Sequence, residues 1–220
     1  MLNLTKDITM KKLLSLMSIF AFLTAFSVAK ADMNVGLSVM LGQSEVSGSE
    51  FENGAGSSDK NSKEIKEVFY GGSVFVEFAD DSGFAIGVDY VPVDVEIGDG
   101  SRTDTAAVSE NDSGTRTASA ELQDLITLYV DFPIGSNGYY GTLGYHSVDV
   151  TTQETLNSSS YGDESLNGVL IGWGKKSGNF KYALEYSNFD DIELEATGGS
   201  ATHKIEADAD ALKFKIAYGF

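Results

Sequence analysis

Residues 212–220 read Leu212-Lys213-Phe214-Lys215-Ile216-Ala217-Tyr218-Gly219-Phe220. Leu212, Phe214, Ile216, Tyr218 and Phe220 take alternate positions, with Lys213, Lys215, Ala217 and Gly219 between them. Side chains of a strand point to opposite faces in turn, so one face is wholly apolar and the other small or cationic. A strand that turns apolar residues to lipid and polar ones to a lumen has this pattern. If the segment is such a strand, the same alternation must recur along the chain in an even number of strands.

The start of the chain carries a matching address. Lys11 and Lys12 precede an apolar run from Leu13 to Val28, and Ala29-Lys30-Ala31 precedes Asp32. A charged n-region, an apolar h-region and a small-x-small site predict a cleaved secretory signal peptide over residues 1–31, with Met10 a plausible true start. Residues 32–220 are then the mature domain. No later run approaches the roughly 20 apolar residues of a spanning helix.

Composition narrows the partners. Residues 1–31 hold four of the 15 basic residues and one of the 33 acidic ones. The remainder carries eleven basic against 32 acidic residues, a net charge of −21. Such a surface repels phosphate backbones, so no nucleic-acid partner is expected. With no cysteine, the exported chain relies on no disulfide. A closed hydrogen-bonded barrel supplies stability by another route, because every backbone group in lipid is paired.

Taken in order, the alternation recurs. Val35, Leu37, Val39 and Leu41 mark a first strand, followed by a polar loop over Gln43 to Lys63. A second strand spans about Glu64 to Ala79, with Val74, Val76 and Phe78 opposite Ser73, Phe75 and Glu77, and turns at Asp80-Asp81-Ser82-Gly83. A third begins at Phe84, with Ile86, Val88 and Tyr90 outward. Its alternation flips at Pro92, which predicts a bulge or the membrane boundary there. After a polar loop over Gly98 to Thr117, a fourth strand places Leu122, Ile126, Leu128, Val130 and Phe132 on one face. Strands five (Tyr139, Gly141, Leu143 and Tyr145 outward) and six (Val169, Ile171, Trp173) flank a polar loop over Thr155 to Asp163. Strand seven turns Phe180, Tyr182, Leu184 and Tyr186 outward, and the last returns from His203 to Phe220.

The prediction is an all-β protein, an eight-stranded antiparallel up-and-down transmembrane β-barrel. Long polar connections alternate with tight turns, so both termini belong to the tight-turn, periplasmic end. Phe78, Phe84, Phe132, Tyr139, Phe180, Tyr218 and Phe220 gather at that end, where an aromatic girdle is expected. Glu77, Asp89, Asp131, Lys181, Glu185, Lys213 and Lys215 point inward. About eight strands leave a bore only wide enough for side chains, so these charges are expected to pair as a lumen network. Met40, Phe75, Tyr129 and Leu170 are inward and would line an apolar pocket or fill the core.

The signal peptide, the eight strands and the terminal aromatic strand resemble the small outer-membrane β-barrels of the OmpA, OmpX and opacity-protein type, over Asp32 to Phe220. The resemblance implies that Phe214, Ile216, Tyr218 and Phe220 form the signal read by the barrel-assembly machinery. It further implies a Gram-negative outer membrane, with lipid and lipopolysaccharide as partners. In contrast to full-length OmpA proteins, which carry a peptidoglycan-binding domain after the barrel, the expected analogues are the stand-alone barrels. The expected role is non-enzymatic, a structural or surface-interaction protein with acidic extracellular loops and no cofactor. The alternative is a narrow channel or OmpW-like conduit for ions or small apolar molecules. Divalent cations are the partner that Asp94, Glu96 and Asp99, or Asp190, Asp191, Glu193 and Glu195, would take, although no loop has the Asp-x-Asp-x-Asp-Gly pattern. Lipid-modifying catalysis would need a base such as His146 or His203 beside a hydroxyl, Ser147 or Thr202 being the neighbours in sequence.

Overall fold

The computed structural model describes residues 32–52, 60–104, 114–155, 161–196 and 201–219. Residues 1–31, where the leader is expected, and Phe220 lie outside them. Ten strands build the sheet: β1 Asp32–Glu52, β2 Lys60–Ala79, β3 Ala85–Tyr90, β4 Val95–Asp104, β5 Gly114–Ile134, β6 Tyr139–Glu154, β7 Glu164–Ser177, β8 Phe180–Phe189, β9 Ile192–Glu195 and β10 Ala201–Gly219. Every pairing is antiparallel, and β1 pairs with β10, which closes the ring. Both β3 and β4 pair with β5, and both β8 and β9 pair with β10. Each of these couples is therefore one interrupted stave. The result is a closed barrel of eight staves.

The outside carries the apolar set. Leu37, Val39, Tyr70, Val169, Ile171, Trp173, Leu184 and Leu212 are all exposed. On β1 the outward apolar residues run from Met33 to Leu41, the length of about 9–11 residues that a tilted strand needs to cross hydrocarbon. At the tight-turn end the rings of Tyr139 and Trp173 stack at 5.2 Å, and those of Phe180 and Tyr218 meet edge-on at 5.4 Å. Trp173 thus joins the girdle, which its place in the sixth strand alone did not reveal.

Two expectations need correction. The connections over Gln43 to Lys63 and Gly98 to Thr117 are largely strand, since β1 runs on to Glu52, β2 starts at Lys60, and β4 and β5 extend to Asp104 and from Gly114. Their polar residues look like loop because these staves rise beyond the apolar band, where neither face meets lipid. Leu122 does not share a face with Ile126. The β5–β6 register shifts between Gln123 and Ile126, with Asp124 at a φ of 52°. That bulge inserts a residue and turns Leu122 and Leu125 inward.

The tight turns are built from residues suited to them. Gly178 and Asn179 join β7 to β8, and Gly178 has a φ of 61°, a conformation that costs glycine little. In the β2–β3 turn, Asp80 Oδ1 accepts hydrogen bonds from Ser82 Oγ (2.6 Å), Ser82 N (2.9 Å) and Phe84 N (3.0 Å). These bonds, the Ser82 hydroxyl first, hold the Asp80 carboxyl below its ordinary range. A lowered carboxyl pKa contributes stability at neutral pH that is lost as pH falls through the folded value. Asp80→Ala is therefore expected to be less stable than the parent at pH 7, with the difference closing in acid. Parallel unfolding at pH 7 and pH 3 checks this, and a gap that stays constant would sink it.

Candidate functional site

The interior of the barrel has two storeys, and period-two reading of each strand explains both. Near the tight-turn end the inward residues are charged or polar: Asn34 and Ser38 on β1, Glu77 on β2, Asp89 on β3, Asp131 on β5, Lys181 and Glu185 on β8, Lys213 and Lys215 on β10. Farther along the same strands they become apolar: Met40 on β1, Phe69 on β2, Leu122 and Leu125 on β5, Val148 and Val150 on β6. On β10 they shrink to Ala211, Ala209 and Ala207.

In the lower storey the charges meet. Lys181 Nζ bonds Glu77 Oε1 at 2.5 Å and also bonds Asp131 Oδ2. Lys213 Nζ reaches Asp89 Oδ1 at 3.0 Å. Lys215 Nζ lies 3.2 Å from Glu185 Oε1 and 3.9 Å from Asp89 Oδ2. Neutral donors add to the set: Asn34 Nδ2 and the Tyr129 hydroxyl donate to Glu77 at 2.9 and 3.0 Å, and Thr142 donates to Asp131 at 2.6 Å, while Asp89 Oδ2 and Glu185 Oε2 accept no hydrogen bond. The Lys215 ammonium also lies 3.5 Å from the Tyr129 ring centre and 4.2 Å from that of Phe75. Isolated buried charges are costly, so such groups persist together. Chemically, this layer is a network of paired, buried charges spanning several strands.

His146 marks the boundary between the storeys. It exchanges hydrogen bonds with Thr127 Oγ1 (2.7 Å) and Ser187 Oγ (2.8 Å), and its ring stacks on Phe189 at 5.2 Å. Ser147 is exposed on the other face, as strand alternation requires. The hydroxyl beside His146 is that of Ser187, from β8. No carboxylate hydrogen-bonds this histidine among the described residues. The side chain of His203 lies outside the described residues.

The upper storey is a cluster of sixteen buried apolar residues, among them Phe69, Ile97, Leu122, Leu125, Val150, Leu166 and Phe189. Its wall is interrupted. β2 pairs with β3 only over Val74 to Ala79, while β4 pairs with β5 alone. Between Tyr90 and Val95 the stave is broken around Pro92, although Val91 N still donates to Leu125 O at 3.0 Å. Above Val74, then, no backbone ladder joins β2 to β4 among the described residues, and a seam runs up the wall. At its foot, a Cβ added to Gly71 would lie 2.8 Å from Met40 Cε and 3.3 Å from Val95 Cγ2.

No protein-family model matches the sequence, and no curated protein matches it. Solved structures match in three dimensions. The outer membrane protein OprG from Pseudomonas aeruginosa aligns with a TM-score of 0.56 at 11% identity, over 86% of this chain and 96% of that one. The outer membrane protein AlkL in lipid bilayers aligns at 0.45 and 13% identity, over 86% and 90%. The Ail protein of Yersinia pestis aligns at 0.36 and 11% identity, over 83% and 99%. The fold is that of a small outer-membrane barrel.

Within that barrel, all seven charged residues singled out from the sequence line one storey. Of the four C-terminal residues, Phe214, Ile216 and Tyr218 face outward on β10, and Phe220 lies outside the described residues. Asp94, Glu96 and Asp99 are exposed, as are Asp190, Asp191, Glu193 and Glu195. No group of three or more acids or histidines among the described residues is arranged to hold a metal ion. Crowding shows instead in exposed Asp208, whose carboxyl is pushed above its ordinary range, first by a hydrogen bond with Asp191 and then by slight desolvation. The apolar upper storey and the seam were missed in the sequence as a unit. Val95 and Ile97 beyond Pro92 and the alanine stripe of β10 were the available signals.

Proposed function

We propose that the chain is exported by a leader cleaved before Asp32 and folds into the outer membrane with help from the assembly machinery, reading Phe214, Ile216, Tyr218 and Phe220. There it acts without catalysis as a carrier route for small apolar molecules. One observation carries this reading: the outer part of the bore is apolar, while the inner part is closed by paired charges. A water-filled pore would have a polar, open lumen, as the larger barrels of about 16–18 strands do. An apolar upper storey over a charged floor would take up a small apolar solute as its packed side chains part to admit it, and would not pass it straight through. Outer-membrane lipid surrounds the belt, and the acidic upper staves and loops keep the rim hydrated.

Two measurements test the proposal. The refolded barrel in planar bilayers is expected to show no steady single-channel conductance, and an open, ohmic channel would contradict the sealed floor. The apolar fluorophore N-phenyl-1-naphthylamine is expected to bind the barrel and to brighten. Ala209→Trp, which fills the upper storey, should weaken that binding by about tenfold or more, a loss of about 1.4 kcal/mol per decade. Unchanged titration curves for the two proteins would remove the chamber as the site.

A further inference from the structure

The charges of the lower storey do not balance. Among the described residues the buried carboxylates are Glu77, Asp89, Asp131 and Glu185, and the buried ammonium groups are Lys181, Lys213 and Lys215. Four negative charges then stand against three positive ones. We propose that the layer binds one small monovalent cation, an alkali ion or hydronium, at Asp89 and Glu185. The site is independent of whether the storey above takes up a solute.

Enclosure comes first. Asp89 and Glu185 are 1% and 2% exposed, and a charge so buried persists when it is paired or holds a cation. The distribution of donors then picks out these two acids. Both oxygens of Glu77 are bonded, by Lys181, Asn34 and Tyr129, and both of Asp131, by Lys181 and Thr142. Asp89 and Glu185 each use one oxygen, Oδ1 toward Lys213 and Oε1 toward Lys215. Their other oxygens, Oδ2 and Oε2, are buried and accept no hydrogen bond. The two carboxyl groups are also neighbours, since Lys215 Nζ lies 3.2 Å from Glu185 Oε1 and 3.9 Å from Asp89 Oδ2. The size of the surplus sets the valence. A divalent ion would leave a positive excess beside Lys213 and Lys215, and calcium takes about six to eight oxygen ligands. No group of three or more acids or histidines is arranged to supply them among the described residues. Besides the charges already named, the titratable groups facing the site are Tyr129 on β5 and Tyr140 and His146 on β6. His146 exchanges its hydrogen bonds with the hydroxyls of Thr127 and Ser187, and β1 and β7 bring no ionisable side chain to this layer.

Urea unfolding of the refolded barrel in dodecyl maltoside reads the site by linkage. An ion held by the folded state alone raises the folding constant by up to about tenfold for each tenfold rise in its activity. One series exchanges choline, too large for a bore filled by side chains, for sodium at constant ionic strength and pH. The other varies pH at constant sodium. The folding constant of the parent is expected to rise with sodium or with hydronium, and the series that responds names the ion. Glu185→Gln removes the surplus charge, keeps the shape, and is expected to abolish that rise. Asp89→Asn carries the same expectation and serves where Glu185→Gln does not fold. His146→Gln and Glu45→Gln, the second at an outward-facing acid of β1, are expected to keep the rise. A parent that responds to neither series overturns the site, as does a response that Glu185→Gln or Asp89→Asn retains in full. Loss of the rise in His146→Gln with retention in Glu185→Gln places the fourth charge on the imidazole, which also overturns it.

Discussion

Replacing Lys181 with methionine is expected to destabilise the barrel by about 3–5 kcal/mol, the cost of breaking a buried ion pair from one side. Lys181 is the shared partner of Glu77 and Asp131, whose side chains are almost wholly enclosed. Methionine fills a similar volume, so packing is conserved and the charge alone is removed. The remaining donors are neutral: Asn34 and Tyr129 to Glu77, Thr142 to Asp131. Two enclosed carboxylates would then have lost the cation they share. Urea unfolding of the folded barrel in detergent micelles measures the loss. Adding Asp131→Asn to Lys181→Met should recover part of it, because one uncompensated charge leaves with the second change. A single-variant loss below about 1 kcal/mol, the range of exposed pairs, would show that the layer is solvated and that the floor is not a seal.

Gly87→Leu is expected to cost about 2–3 kcal/mol through overpacking. Gly87 sits on β3 with the Tyr129 ring laid across it, so close that any Cβ would overlap the ring. Tyr129 has no room to retreat. Its hydroxyl donates to Glu77, its edge meets Phe75 at 6.4 Å, and Lys215 sits over its face. A side chain at position 87 would therefore lift Tyr129 from both the carboxylate and the ammonium. Thermal unfolding in detergent measures the effect, and Tyr129→Ala separates its causes. In that background Gly87→Leu should cost much less, because the displaced ring is gone. Equal costs in the two backgrounds would place the damage elsewhere.

How much of this was legible before the structure depends on the range of the forces involved. Alternation at a period of two is a property of one strand, so the facing of Lys181, Glu185, Lys213 and Lys215 could be read from local sequence. The tight turns were equally local, since Asp80 and Gly178 act within a few residues. The interruptions were harder. Pro92 announced its break, because proline has no donor for the ladder. The bulge at Asp124 has no such marker, and the reading of Leu122 failed there. The staves beyond the apolar band were read as loops for a related reason. Once neither face meets lipid, a strand such as Ser47 to Glu52 is as polar as a loop, and only pairing with a neighbour distinguishes them.

The sequence by itself determined the class of fold and the sidedness of its strands, because bilayer and lumen impose opposite preferences on neighbouring residues. The tertiary structure alone decided who meets whom across the bore. Lys181 finds Glu77 from 104 residues away and Lys213 finds Asp89 from 124, distances in sequence over which periodicity carries no information. It decided as well that β4 forms no ladder with β2 among the described residues and that Ser44 of β1 bonds Ile97 of β4, since strand registry is a contest among all eight staves and not a preference of any one.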